Sequence, residues 1–217
     1  ILFDWPYLAP IGITSDERVD EASAQFLHNF CTNDIKTLTE DQSCEAFFCN
    51  EKGRILAHAL ILCDTLRFWI LTSPDRCDFL LSHLDKYLLN EDFQLGDLRE
   101  SDCFLYAAGP QAGDFLFKTF DAYGMPEDHQ LEYLELGNAG ITFVRWDCGD
   151  QPGYLLMFAR THAPRILEML NSTDVTIGSD DVAEVARIAA AFPKYGVDLS
   201  DAHLAQEANR TKQAISF

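Results

Sequence analysis

Apolar and polar residues alternate, or recur at helical spacing, along most of the chain, and these patterns predict short strands and amphipathic helices. In the first half of the sequence, strands are expected at 45–50, 54–63, 66–72 and 93–98. Helices are expected at 20–31 and 75–89. The second helix has one apolar stripe, formed by Phe79, Leu80, Leu84, Tyr87 and Leu88.

The second half of the sequence repeats this succession of elements. Strands are expected at 103–107, 141–146, 154–159 and 175–177, and helices at 111–123, 163–170 and 180–191. The order hairpin, helix, strand therefore occurs at 54–98 and again at 141–178. Two such units predict an α+β fold with two ferredoxin-like halves, each an antiparallel sheet with helices on one face. We expect the halves at 1–105 and 106–217, with an exchange of strands between them left open, and a further strand starting at 214–217.

The charge of the chain restricts its partners. Sixteen Lys and Arg residues against 35 Asp and Glu residues give a net charge of −19 over 217 residues, which repels nucleic acids and anionic lipids. The longest apolar run, at 55–63, is far shorter than the ~20 residues of a membrane span. We expect neither a nucleic acid nor a membrane as a partner, and an anionic small molecule needs a local cluster of basic side chains.

Cysteine usage and the lack of common catalytic motifs narrow the chemistry further. The seven cysteines include no Cys-x-x-Cys pair and the six histidines are scattered, so we expect reduced core thiols and no metal site. The sequence starts at Ile1 without a signal-peptide pattern, and a cytoplasmic location is expected. Phosphate loops, nucleophile elbows and His-Glu-x-x-His pairs are absent from the sequence.

Four segments carry polar residues that chemistry could use, and each has a plain structural alternative. The segment 26–34 is either a helix terminator or a loop that faces a ligand, and 52–54 is either a hairpin tip or an anion contact. The glycine-containing segment 149–154 indicates first of all a hairpin turn. In the segment 187–198, basic and aromatic residues are expected to cluster at a Pro/Gly turn, which suits a carboxylate or a pterin-like ring.

Taken in order, these segments resemble the folate-binding family that includes the glycine-cleavage aminomethyltransferase and its YgfZ-like relatives. Phe26-Leu27-His28 to Thr32-Asn33-Asp34 is similar to the family's FLQ…TND segment, and Lys52-Gly53-Arg54-Ile55-Leu56 to its GRIL hairpin. Gly149-Asp150 with Gly153-Tyr154 resembles a degraded GYTGE segment, and 187–198 resembles R(L/I)EAG…P.YG.D. The AQEAN sequence at 205–209 and ISF at 215–217 resemble the YgfZ-like branch.

The resemblance implies tetrahydrofolate as the cofactor and, for the YgfZ-like branch, a role in assembly or repair of iron–sulfur clusters in client enzymes. In the aminomethyltransferase, the hairpin after the paired glycines carries two aspartates, and these places hold Ala57 and His58 here. Because neither supplies a carboxylate, we expect no catalytic residue and lean against an enzyme. The branch's KGCY.GQE segment is expected just beyond Phe217, and the family's third domain, a small β-barrel, is expected to be absent from this sequence.

The resemblance also implies a pterin pocket in the middle of the molecule, with seven ligand-binding residues: Asn33, Asp34, Lys52, Arg54, Arg187, Lys194 and Tyr195. Arg187 is expected to pair with an anionic or amide edge of the ligand, and Tyr195 to stack on its ring. The two lysines are expected to meet the glutamate or polyglutamate tail of folate. Two alternatives remain open: a tetrahydrofolate-dependent aminomethyl- or methyl-transferring enzyme, and an interaction module with a vestigial pocket.

Overall fold

The structure is a computed structural model that describes residues 1–4, 8–15, 19, 21–89, 91–147, 151–173, 175–189 and 191–217. Within these residues the chain forms ten strands: β1 Leu2–Asp4, β2 Ala9–Ser15, β3 Gln42–Cys49, β4 Ile55–Cys63, β5 Arg67–Thr72, β6 Phe93–Asp97, β7 Asp102–Ala108, β8 Leu131–Leu136, β9 Ala139–Arg145 and β10 Gly153–Ala159. The same residues form six α-helices: α1 Glu21–His28, α2 Pro74–Asp85, α3 Ala112–Phe120, α4 Ala163–Asn171, α5 Asp180–Ala189 and α6 Thr211–Ala214.

The predicted strands around residues 45–72 lie in one antiparallel sheet with the order β3-β4-β5-β2-β6. Successive residues of a strand point to opposite faces, so Ala46 and Phe48 pack into one apolar cluster while Phe47 packs into another. Helices α1 and α2 cover the first face with Phe26, Leu27, Cys77, Leu80 and Leu84. The C-terminal segment, residues 204–217, covers the second face with Ala205, Ala208 and Ala214.

The predicted hairpin of the second half belongs to another antiparallel sheet, with the order β1-β7-β10-β9-β8. Helices α3 and α4 pack on this sheet. Their buried side chains are Leu116, Phe120, Ile166 and Leu170, which join the sheet residues Ile141, Phe143, Leu156 and Phe158. Two antiparallel sheets carrying helices make the chain an α+β protein, and this predicted fold class is confirmed.

Contacts divide the chain into two compact units that are discontinuous in sequence. Unit 1 comprises Ile1–Pro6 and Glu100–Phe192, and unit 2 comprises Tyr7–Arg99 and Pro193–Phe217. Each end of the chain packs against strands that are distant in sequence. Strand β1 pairs with β7 in unit 1, and the C-terminal segment packs on β3 and β4 in unit 2. The boundary predicted at 105/106 stays a prediction, and residue 105 lies inside β7.

Four of the five predicted helices are shorter than predicted, α4 is one residue longer, and one predicted stripe is only partly buried. The helix expected at 75–89 ends at Asp85. Leu80 and Leu84 are fully buried, whereas Phe79 and Tyr87 are 40% and 52% exposed. These two rings flank the apolar stripe and contact the ring of His83 instead of the core.

Two predicted strands are not strands, and three strands were not predicted. In the segment 175–177, an isolated parallel β-bridge joins Ile177 to Leu2 of β1. One paired residue does not make a strand. Ala214 ends α6, and extended backbone starts at Ile215 rather than at Ala214. The strands without a prediction are β1, β2 and β8. Parts of the sequence interpretation concern residues that lie outside the described ones, among them Asp20, Cys148, Gly149 and Asp150.

Candidate functional site

Asn33 and its neighbour Thr32 hold the C-terminal segment against β3 in unit 2. The Thr32 hydroxyl accepts a hydrogen bond from the Phe47 N–H at 2.9 Å and donates one to the Ala214 carbonyl at 2.6 Å. The Asn33 side-chain amide donates to the carbonyls of Glu45, at 2.8 Å, and Gln213, at 3.1 Å. These contacts pair backbone groups of two distant segments, which satisfies groups that burial would otherwise leave unpaired.

Asp34 follows directly and faces a histidine. Its Oδ1 lies 3.4 Å from His28 Nδ1 at the end of α1, and the two side chains are 37% and 29% exposed. The same oxygen accepts a hydrogen bond from the Lys36 N–H at 3.2 Å. Asp34 therefore caps a loop and keeps contact with solvent.

The β3–β4 turn presents Lys52 and Arg54. The Asn50 side chain accepts hydrogen bonds from the backbone N–H groups of both residues, at 2.9 and 3.0 Å. Gly53 between them has φ +71°, a left-handed conformation that glycine adopts without strain. The Lys52 side chain is exposed, whereas the Arg54 guanidinium donates to the Ala202 carbonyl. The turn thus leaves one of its two cations in solvent and uses the other to hold the chain before the C-terminal segment.

Tyr195 lies beside an arginine that the sequence analysis did not single out. The Arg76 guanidinium is 4.3 Å from the centroid of the Tyr195 ring and 4.0 Å from that of Phe79. Cation–π contacts of this kind hold a planar guanidinium parallel to or over an aromatic face. Lys194, the preceding residue, begins a turn in which its N–H donates to the Asp198 carboxylate at 2.9 Å.

Arg187 lies in unit 1, on α5, and is almost completely buried. Its guanidinium donates from Nε and Nη2 to both oxygens of Glu184, at 2.9 and 2.7 Å, and from Nη1 to the Phe192 carbonyl. Such a bidentate pair is strong and geometrically fixed. Arg187 thereby joins the end of α5 to Phe192, three residues beyond the helix.

A buried charged cluster, formed by Glu45, His58 and Arg210, lies on the second face of the unit 2 sheet. Arg210 Nε donates to Glu45 Oε2 at 2.7 Å, its Nη2 also contacts Oε1, and His58 Nε2 lies 3.2 Å from Oε2. Burial raises the pKa of the Glu45 carboxyl, but the hydrogen bonds and charges of His58 and Arg210 outweigh burial and hold that pKa at about 2. His58 also stacks on Phe47, with ring centroids 4.8 Å apart.

His58, one of the two residues that the sequence resemblance sets against aspartates, belongs to this charged cluster. Sequence reasoning missed Glu45 and Arg210. A glutamate between apolar residues of one predicted strand was the available signal, since a charge in such a strand needs a partner. Arg210 carries no local signal, because it is 165 residues away from Glu45.

The candidate residues of unit 2 lie in three short stretches of sequence: Asn33 with Asp34, Lys52 with Arg54, and Lys194 with Tyr195. Arg187 belongs to unit 1. Among the described residues, no group of three or more His, Cys, Asp or Glu side chains is placed to hold a metal ion. In the same part of the chain, no helix is long and apolar enough to cross a membrane.

Comparison with known proteins finds similarity in sequence to one transferase and in fold to two enzymes. No family model matches the chain. Over 115 residues it is 28% identical to the chloroplastic "Putative transferase" of Arabidopsis thaliana, a match that covers 52% of this chain and 25% of that protein. The chain therefore spans about a quarter of this curated protein.

The solved structures that share the fold include two enzymes. The glycine cleavage system aminomethyltransferase T of Bartonella henselae matches with a TM-score of 0.79 and 19% identity, over 94% of this chain and 54% of that chain. The heterotetrameric sarcosine oxidase of Corynebacterium sp. U-96 matches with a TM-score of 0.55 and 15% identity, over 82% of this chain and 87% of that chain. The chain thus has an aminomethyltransferase-like fold. The predicted resemblance is confirmed at the level of the fold, and the YgfZ-like branch stays a prediction.

Proposed function

We propose that this protein binds tetrahydrofolate and serves as an accessory protein in the assembly or repair of iron–sulfur clusters in client enzymes. The observation that carries the proposal is the likeness to aminomethyltransferase T over 94% of the chain. The ordered sequence segments add the folate ligand and the YgfZ-like role. The net charge of −19 favours a small ligand and protein clients over nucleic acids or anionic membranes.

The proposed ligand contacts in unit 2 come from side chains that reach solvent. Tyr195 supplies an aromatic surface, Lys52 and Lys194 supply cations for the glutamate tail, and Asp34 supplies a carboxylate at a loop. Asn33 and Arg54 hold backbone carbonyls, and we propose that they shape the loops at the edge of the site. For Arg187 in unit 1, the proposed contribution is to fix the turn after α5 through Glu184 and Phe192.

A second candidate function is tetrahydrofolate-dependent transfer of an aminomethyl or methyl group, in which the bound folate accepts the one-carbon unit and an aminomethyl donor releases ammonia. The names of two similar proteins, a transferase and an aminomethyltransferase, favour it. The residues at the expected catalytic position oppose it: Ala57 has no titratable group, and the His58 imidazole is engaged by the Glu45 carboxylate. Formation of methylenetetrahydrofolate from an aminomethyl donor distinguishes the two functions, because only the transferase produces it.

Calorimetric titration with tetrahydrofolate tests the folate site. Saturable binding is expected for the wild-type protein, and Tyr195→Ala is expected to weaken it about tenfold, as loss of an aromatic contact does. Tyr133→Ala is the matched control, because Tyr133 is a 64% exposed tyrosine on β8. A folded wild-type protein that binds no tetrahydrofolate contradicts the proposal.

The iron–sulfur role needs a cellular test. In a strain that lacks the gene, activities of iron–sulfur enzymes should fall and should recover with the wild-type gene but not with the Tyr195→Ala variant. Full recovery with a variant that has lost folate affinity contradicts the link between folate and cluster repair.

We also propose a reducing, cytoplasmic location for the protein. Its described cysteines Cys31, Cys44, Cys49, Cys63, Cys77 and Cys103 are free thiols. Burial, together with nearby carboxylates, raises the pKa of the Cys63 thiol to about 12, which keeps it in the unreactive protonated form. Measurement of free thiols in protein purified without reductant tests this location.

A further inference from the structure

Arg76 is held in place on three sides in unit 2. It lies in the first turn of α2, and its Nε donates to the Leu56 carbonyl at 2.8 Å. The rings of Phe79 and Tyr195 lie 4.0 and 4.3 Å from its central carbon. Because two rings and a backbone carbonyl fix the side chain, little further conformational entropy is lost when its remaining donors bind a ligand.

The other end of this guanidinium carries four N–H donors on Nη1 and Nη2. Within the described part of the chain, no hydrogen bond or ion pair joins these atoms to a protein acceptor, although the side chain is half-buried. Several other arginines pair with carboxylates: Arg99, Arg145, Arg165, Arg187 and Arg210. The chain has 35 acidic residues, and Arg76 pairs with none of the acidic residues that the structure describes. Because its side chain is nevertheless held rigidly, Arg76 is available to bind an external anion.

We propose that Arg76 is the carboxylate-binding residue of a ligand site that also includes Tyr195. A guanidinium presents parallel N–H groups that match the two oxygens of a carboxylate. Resting on the proposed function, this inference names the part of the ligand that Arg76 recognises: a carboxylate of the glutamate tail. The guanidinium also fits a carboxylate of a free polycarboxylate. Titrations with separate probes distinguish this ligand from the glutamate tail of folate.

Calorimetric titrations with three probes separate the pterin from its tail: tetrahydrofolate triglutamate, tetrahydropteroate amide, which has neither glutamate nor a carboxylate, and free tri-γ-glutamate. Arg76→Gln is expected to weaken binding of the triglutamate about tenfold or more, because a charge-assisted pair is lost. The affinity of this variant for tetrahydropteroate amide is expected to stay within about twofold of wild type. Arg76→Lys, which keeps the charge but not the parallel donors, should fall between wild type and Arg76→Gln.

Arg67→Gln is the matched control. Arg67 is also half-buried and lies 5.0 Å from the ring of Trp69, so its loss removes the same charge and the same kind of cation–π contact. This variant should bind all probes as the wild-type protein does. Circular dichroism of each variant establishes that it is folded.

Each result has a distinct meaning. Equal losses of affinity for the triglutamate and for tetrahydropteroate amide, or no loss for either, overturn the role of Arg76 while leaving folate binding intact. If the wild-type protein binds neither folate form but binds tri-γ-glutamate through Arg76, the proposed function fails and the carboxylate site stands. If the wild-type protein binds none of the three probes, both fail.

Discussion

Glu45 shows how one residue can dominate the energetics of a sheet. Its carboxylate is 1% exposed and keeps a pKa of about 2 because His58 and Arg210 donate to it. A buried ion pair adds little stability compared with apolar side chains of the same size, but removing one partner leaves an uncompensated charge in the interior. The stability of unit 2 should therefore respond more strongly to single changes in this cluster than to the loss of the whole cluster.

Arg210→Met should lower the free energy of unfolding by about 3–5 kcal/mol, since it strands the Glu45 carboxylate. The control is Arg165→Met, which removes an exposed pair with Glu168 whose side chains are 52% and 71% exposed, and should cost about 0–1 kcal/mol. Urea denaturation monitored by circular dichroism measures both. In the double variant Glu45→Gln/Arg210→Met, part of the loss should be recovered. A cost for Arg210→Met no larger than that for Arg165→Met argues against a buried charge effect.

Acid should destabilise the protein through the same carboxylate. The folded-state pKa of Glu45 is about 2, below its ordinary value of 4.5, so the unfolded state takes up the proton first. The stabilisation of roughly 3 kcal/mol is complete above pH 4.5 and is lost as the pH falls from about 4.5 towards about 2. Unfolding free energies measured between pH 7 and pH 3 should fall less steeply for Glu45→Gln than for the wild-type protein. Parallel curves contradict this assignment.

At the scale of elements, the β3–β4 hairpin depends on one left-handed glycine. Gly53 has φ +71°, and a Cβ built there would lie 3.8 Å from Leu204, an ordinary contact. The strain of a side chain at this position is therefore a backbone effect. The turn also positions Arg54, which bridges to Leu204 and donates to Ala202.

Gly53→Ala should destabilise the protein by about 1 kcal/mol, because alanine disfavours a positive φ. Gly124→Ala is the control: a Cβ there meets no atom within 4 Å and its φ is not in the left-handed region, so the change should be neutral or slightly stabilising. Thermal denaturation of both variants gives the comparison. Equal effects of the two substitutions contradict the role of the turn.

The predicted and observed elements differ where local residue types conflict with long-range pairing. The meander from β3 to β5 was predicted because its apolar runs are broken by clear turn residues. Strand β2 was not predicted, since Pro10 and Gly12 are residue types that disfavour strands. Pro10 is tolerated because it pairs only with β5, while the pairing with β6 ends at Ile11. In β8, only Leu131 and Leu134 are buried, a spacing of three that hides the alternation of a strand.

The same limit applies to the candidate site. Sequence segments identified Asn33, Arg54, Arg187 and Tyr195 as notable, and each lies at a well-defined contact. Residue types alone could not reveal that the first three hold backbone carbonyls of the protein. Nor could they pair Arg76 with Tyr195, since this contact joins residues from opposite ends of unit 2.

At the scale of the whole molecule, the sheet of unit 1 requires an intact β7. This strand lies between β1 and β10 and is bonded to both. Residues 103–107 of β7 include the buried side chains Phe104, Tyr106 and Ala107. A division of the chain at 105/106 cuts through this strand.

Two fragments that differ by six residues test the importance of β7. The fragment 100–192 contains the whole strand, Asp102–Ala108, and should show β-sheet circular dichroism and a cooperative unfolding transition. The fragment 106–192 lacks most of the strand and should be largely unfolded, because β10 loses most of its pairing with β7 and the buried Phe104 is removed. Similar transitions for both fragments contradict the central role of β7.

The separation of Glu45 from Arg210 has a consequence for biosynthesis. The two residues are 165 positions apart, and most of unit 1 is encoded between them. At ~5–20 residues per second, a ribosome takes on the order of ten seconds or more to add the arginine after the glutamate. During that interval residues 100–192 of unit 1 are synthesised while the β3–β4 face of unit 2 lacks its covering segment. This face of unit 2 is therefore covered only after the residues of unit 1 have been translated.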